Sequence, residues 1–304
     1  MDTACFDYCL TEDERLEFEK NGFFVVKNAL PSQLVEDLNI VVDRLDTEYR
    51  TTTAAPQKRT APLGVVSPNR PPERLLGPHE RLNLLDFVGK DEIFLELLDW
   101  PKTFPKVWGI LGWNLQLYHS HMTVTPPAAP GEVEVQKRFG WHQDTGRLNI
   151  ELEANPRPRV SLKVGFFLTD TTEAGRGNFY VVPGSHLQNE LEFPADEASN
   201  PEGTLAVRVA PGTAVFFDRR LWHSASPNYS DITRKVLFYG YSYRWLRPRD
   251  DMTVSHVMDQ CDPIRQQLLG ASVNGGMGYT SPRDEDVPLK TWLNEHLGDE
   301  AVAP

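Results

Sequence analysis

Cysteine is scarce in this 304-residue chain: Cys5, Cys9 and Cys261 cannot all pair, and no CxxC spacing suited to a metal occurs. That excludes a disulfide scaffold and a cysteine-held zinc, and a reducing cytoplasm is the expected location. No stretch approaches the ~20 apolar residues of a membrane span. The N-terminal stretch MDTACFDYCLTEDERLEFEK has neither the basic region nor the apolar core of a secretory signal. Runs of basic residues are also missing. Lys and Arg number 31 against 43 Asp and Glu, a formal charge of −12, which argues against a nucleic-acid or anionic-membrane partner. There is no internal repeat or low-complexity tract, and 40% hydrophobic with 24% charged residues is the composition of a packed protein. At ~150 residues per domain two domains could be present, but large β-barrel folds reach this length as one.

The pattern along the chain divides a single expected domain into three parts: residues 1–113 with N-terminal helices and a loop, a β core over 114–245, and a helical tail over 246–304. Thr11-Glu12-Asp13-Glu14 predicts a capped helix stopping at Asn21-Gly22, before a strand at Phe23–Val26. A second helix begins near Pro31-Ser32; Leu34, Leu38, Val41, Val42 and Leu45 form one apolar stripe for packing on a sheet. Residues 51–80, rich in proline, read as a long loop and a candidate lid, followed by short helices near 91–99 and 102–111. Eight strands are expected at 115–125, 137–142, 160–169, 179–182, 204–209, 213–217, 221–224 and 235–245, separated by breakers such as Pro183-Gly184 and Pro211-Gly212. Many short strands with few helices between them predict a mainly β fold with flanking α-helices, a sandwich or jelly roll. Asp262-Pro263 then caps a tail helix that Gly270 ends.

Within Phe139-Gly-Trp-His-Gln-Asp144, alternate side chains of an extended segment share a face, so His142 and Asp144 can point at one ion. With His223 they supply two imidazoles and a carboxylate, the facial set of non-haem Fe(II) oxygenases. Taken alone, an HxD in a chain with eight histidines leaves a structural or surface pair as the default. Position strengthens the metal reading, because the end of the second strand and the start of the seventh can meet at one barrel mouth. Arg234 opens the last strand; beside an open metal site its guanidinium suits a dicarboxylate, although Asp231 could pair with it instead.

The sequence resembles the phytanoyl-CoA dioxygenase family of iron- and 2-oxoglutarate-dependent oxygenases. The matching stretches are Trp141-His-Gln-Asp144, Phe166-Phe-Leu-Thr-Asp170, Gly177-Asn-Phe-Tyr-Val-Val-Pro-Gly-Ser-His186, and His223 with Arg234. The likeness is close over 115–245 and looser outside. It implies a double-stranded β-helix of the cupin-like kind, Fe(II) held by His142, Asp144 and His223, 2-oxoglutarate bound by Arg234, and O2 as second cosubstrate. Family members often place a hydroxyl two residues after the distal histidine; Ala225 stands there, between Ser224 and Ser226, so that contact does not carry over. Related halogenases have a small residue in place of the acid, and Asp144 therefore disfavours halogenation.

Lys163, amid the apolar run Val160–Leu168, either faces the pocket and binds a carboxylate or snorkels to solvent, and Gly165 on the same face could leave space for a ligand. His121 and His119 share a strand face and could line the site or be satisfied barrel histidines. His186 reads as structural, Trp141 as packing beneath the metal, and Tyr239, Tyr241 and Tyr243 as core. The expected activity is hydroxylation of a small metabolite or natural-product intermediate. No basic cluster suggests a CoA phosphate site. The rivals are a non-catalytic cupin-like binding barrel and a metal-assisted isomerase or hydrolase.

Overall fold

The computed structural model describes residues 1–51, 65–66, 74–131, 138–196 and 198–302. In chain order its elements are α1 (Glu12–Asn21), β1 (Phe23–Val26), α2 (Ser32–Thr51), β2 (Val65–Val66), β3 (Leu82–Leu85), α3 (Ile93–Glu96), α4 (Phe104–Leu111) and β4 (Leu115–Thr125). There follow α5 (Gly146–Glu151), β5 (Ser161–Phe167), β6 (Phe179–Val181), β7 (Leu205–Val207), β8 (Thr213–Asp218), β9 (His223–Ala225), β10 (Arg234–Tyr243), α6 (Pro263–Leu268), α7 (Met277–Thr280) and α8 (Pro288–Leu297).

The strands form a seven-stranded sheet, order β1-β8-β5-β10-β4-β3-β2, and a three-stranded sheet, order β7-β6-β9. Strands β4, β5, β8 and β10 of the larger sheet are buried on both faces, and alternation divides their side chains. Leu162, Val164, Phe166, Leu237, Tyr239 and Tyr241 point to one cluster with Leu34, Leu38, Val42 and Leu45 of α2. Phe167, Val215, Phe217, Val236 and Phe238 point the other way, onto Phe179, Val181 and Val207 of the smaller sheet. This is the jelly roll. Tyr239 and Tyr241 fasten the helical layer by donating their hydroxyls to Phe94 and Leu98 carbonyls at 2.8 Å. At α1 the expected Thr11 cap is present, and Glu14 completes it as a capping box; Gly22 at φ +80° ends the helix.

Two expectations are corrected. Of the strand expected at 137–142, Lys137 lies outside the described residues and 138–141 carry no regular structure. His142 pairs only in an isolated bridge with His223. The reason is local: Asn200 Oδ1 accepts from Phe139 N at 3.0 Å and Trp141 Nε1 at 2.8 Å, replacing a strand ladder. Trp141 is thus tied to Asn200. Gly165 leaves no ligand space, because a Cβ there would come within 2.8 Å of the Phe238 ring, which occupies that gap. Most of the expected lid over 51–80 lies outside the described residues.

At the end of β8, Asp218 is fully buried and accepts from Arg220 Nε at 2.9 Å, Arg220 Nη2 at 2.7 Å and Arg159 Nε at 2.9 Å. Removing one partner of a buried ionic cluster strands the others, at about 3–5 kcal/mol. Asp218→Ala should lower the urea midpoint by that equivalent at an unchanged m-value; a shift below 1 kcal/mol would show that water reaches the cluster.

Candidate metal and cosubstrate site

The bridge between His142 and His223 brings the two histidines together. Each backbone N–H donates to the other's carbonyl, at 3.1 and 3.0 Å, and the rings lie 4.4 Å apart. Each ring is oriented in the same way: Nδ1 donates to a carbonyl two residues back, Gly140 O at 2.9 Å for His142 and Leu221 O at 2.8 Å for His223. A carbonyl only accepts, so Nδ1 carries the proton and Nε2 presents its lone pair, the arrangement that second-shell partners impose on metal-bound histidines. Burial, and then neighbouring His142, push His223 down to about 3, so it is neutral.

Asp144 completes the group: ligand atoms of His142, Asp144 and His223 all lie within 4.8 Å of one another. Its loop is held from behind. Asp144 N donates to Arg219 O at 2.9 Å, Asn149 Nδ2 to Asp144 O at 2.8 Å, and buried Arg219 binds Asn149 Oδ1. Helix α5, which carries Asn149, is absent from the sequence reading; Gly146 and the φ +60° of Thr145 hide its start. Burial works against ionisation of Asp144, but the Lys163 ammonium 2.9 Å from Oδ1 outweighs it and holds the carboxyl well below the usual range. Oδ2 is buried and has no protein partner among the described residues. Two imidazole nitrogens and an unpartnered anionic oxygen fit Fe(II).

Lys163 does bind a carboxylate, that of Asp144, and the solvent-facing alternative is excluded by its burial. Arg234 opens β10 as expected and is 3% exposed. Among the described residues its guanidinium has no hydrogen-bond or ion-pair partner, Nε is buried and unpaired, and Asp231 does not reach it. Burial first, then the charge of Arg81, push it down to about 9. An unpaired buried guanidinium fits the distal carboxylate of 2-oxoglutarate.

Triad, Lys163, Arg234 and His121 line one cavity of about 710 Å³. His121 Nε2 contacts Asn83 Oδ1 at 3.2 Å and Thr123 Oγ1 at 3.3 Å, so it is both lining and satisfied. Ser224, Ala225 and Thr123 also line it, so hydroxyls are at hand despite Ala225. His119 and His186 are buried; His119 is bound to Asp250, and His186 Nε2 donates to Glu19 O at 3.1 Å. The sequence reading missed Arg81, Asn83, Phe217, Phe238 and Arg249 as lining residues. For Phe217 and Phe238 the signal was strand alternation with Lys163.

A jelly roll with two imidazoles and a carboxylate at its mouth is the architecture of iron- and 2-oxoglutarate-dependent oxygenases. The chain matches the profile of the family described as Phytanoyl-CoA dioxygenase (PhyH) over residues 18–236, a span that holds His142, Asp144, His223 and Arg234, and it belongs to that family. Fe(II) and 2-oxoglutarate are the family's cofactors. A "Probable alpha-ketoglutarate-dependent hypophosphite dioxygenase" of Stutzerimonas stutzeri is 27% identical over 188 residues, covering 56% of each chain. The chain therefore spans about half the length of that relative. A "Probable phytanoyl-CoA dioxygenase" of Caenorhabditis elegans is 24% identical over 253 residues, 77% of this chain and 75% of that one. Among solved structures, EctD from S. alaskensis with 2-oxoglutarate and 5-hydroxyectoine gives a TM-score of 0.54 at 18% identity, covering 76% of each chain. The alpha-ketoglutarate-dependent epimerase SnoN from nogalamycin biosynthesis gives 0.52 at 18% identity, covering 76% of this chain and 82% of that one. These two likenesses are of fold.

Lys163→Met should strand the Asp144 carboxylate and destabilise the metal-free chain by about 3–5 kcal/mol. Adding Asp144→Asn should recover much of that loss. Additive denaturation midpoints in this double-mutant cycle would show that the pair is not coupled.

Proposed function

We propose that the chain is an Fe(II)- and 2-oxoglutarate-dependent dioxygenase that hydroxylates a small metabolite or natural-product intermediate, working as one domain over 1–304. The observation that carries this reading is the meeting, in one cavity, of a converging His142–Asp144–His223 group with the unpaired, buried Arg234. His142 and His223, through Nε2, and Asp144, through Oδ2, would hold Fe(II). Arg234 would take the distal carboxylate of 2-oxoglutarate in a two-pronged ion pair. Bound iron and 2-oxoglutarate supply oxygen activation coupled to decarboxylation, which yields succinate and CO2.

The chain's own residues set the conditions. Lys163 fixes Asp144 through Oδ1 and leaves Oδ2 for the ion. The Gly140 and Leu221 carbonyls fix the two ring tautomers. Phe179, Phe217 and Phe238 give the cavity an apolar wall. A zinc isomerase or hydrolase could use the same three ligands but has no need of Arg234, and a binding barrel would release no succinate.

The test is oxygen- and iron-dependent release of succinate from 2-oxoglutarate. His142→Ala and Asp144→Ala should each abolish it and lose iron while staying folded; near-normal iron content and activity in either would refute the ligand assignment. Charged hydrogen bonds contribute ~1.5–3 kcal/mol. Arg234→Ala should therefore weaken 2-oxoglutarate binding by on the order of ten- to several hundredfold with iron affinity unchanged, and Arg234→Lys should recover only part. Anaerobic titration of both variants reads this, and unchanged affinity in Arg234→Ala would move the clamp elsewhere.

A further inference from the structure

Four cationic side chains line the cavity, Arg81, Lys163, Arg234 and Arg249, against one carboxylate, Asp144, in a chain whose net charge is −12. Lys163 is committed to Asp144, and Arg234 is the proposed cosubstrate clamp. Arg81 belongs to the Arg234 end: it precedes Leu82, the partner of Val124, and Arg234 pairs with Thr125. Arg249 stands apart. Its backbone N–H donates to Tyr118 O at 2.8 Å, far along β4 from Thr125, about 20 Å by the rise of an extended strand.

The Arg249 guanidinium is held by a built relay. Asp250 Oδ1 accepts from His119 Nδ1 at 2.9 Å, which leaves His119 Nε2 to accept from Arg249 Nη1 at 3.2 Å. Asp250 is itself fixed by Ser120 N at 2.6 Å and Ser120 Oγ at 3.1 Å, and the His119 and Asp250 side chains are buried. Burial keeps the His119 ring far below its ordinary range, so it stays a neutral acceptor. Arg249 is exposed, lines the cavity, and among the described residues no carboxylate pairs with it, so its other N–H donors are open to solvent or a ligand. A buried acid and histidine thus orient an arginine whose free donors border the cavity.

We propose that Arg249 anchors the primary substrate, which carries a carboxylate at one end, so that its reacting carbon lies at the triad between two arginine-bound acids. This rests on the oxygenase reading for its orientation but not for its chemistry. The planar fork suits a carboxylate better than a neutral amide.

Calorimetry on the Zn(II)-loaded chain, which does not turn over, tests it with acetate, butyrate and benzoate against their primary amides, with and without 2-oxoglutarate. Carboxylates should bind at least about tenfold more tightly than the amides with 2-oxoglutarate present. Arg249→Gln should erase that preference and leave 2-oxoglutarate affinity within about twofold, which also reports an intact fold; Arg249→Lys should restore part. Equal binding of acids and amides would overturn the proposal. So would a preference that survives Arg249→Gln but is lost in Arg234→Gln, which would put the probes in the cosubstrate seat. Failure of 2-oxoglutarate to bind the wild type overturns the oxygenase reading alone, because the acid preference is also read without it.

Discussion

Two backbone hydrogen bonds, exchanged between His142 and His223, are what the site depends on. They join a segment without regular structure to the edge strand of the smaller sheet, and they fix which side chains face which. Strand register has period two, so a slip by one residue would turn an imidazole away from the cavity. The rest of the region holds that bridge in place: β6 pairs Val181 with His223, and Arg219 with Asn149 fastens the loop carrying Asp144. The proposed iron ligands are thus set mainly by main-chain geometry, and the tautomers follow from carbonyls two residues behind each ring.

Charge placement is the second constraint. The inner face of the larger sheet contributes Lys163 and Arg234 to a largely apolar wall, and burying cations there is costly unless anions meet them. Asp144 meets Lys163. Among the described residues Arg234 has no such partner, and burial pushes its pKa down to about 9. A dicarboxylate would reduce that cost. Arg249 on the far side is exposed and carries no such cost; there His119 and Asp250 supply orientation.

Much of this was legible in the sequence where local rules dominate. β4 runs from Leu115 to Thr125 as expected, Thr11 caps α1, and Arg234 opens the last strand, because alternation and capping depend on near neighbours. The convergence of His142, Asp144 and His223 was legible because these residue types are few and the HxD spacing is short. The failures are where distant groups decide. Asn200 takes the donors that would have made 138–142 a strand, and the ring of Phe238 fills the gap that Gly165 offered. Lys163 faces inward as one of two readings held, and its partner is Asp144, itself a proposed metal ligand. Arg249 and Asp250 follow β10 and meet Tyr118, His119 and Ser120 across more than a hundred residues, so no pattern around them announces the contact.

The most direct test of the site is anomalous diffraction at the iron edge from crystals grown without oxygen and soaked with Fe(II) and 2-oxoglutarate. One iron peak should lie among His142 Nε2, His223 Nε2 and Asp144 Oδ2, with the distal carboxylate of 2-oxoglutarate on the Arg234 guanidinium. A peak away from these three atoms, or 2-oxoglutarate seated with no contact to Arg234, would contradict the assignment.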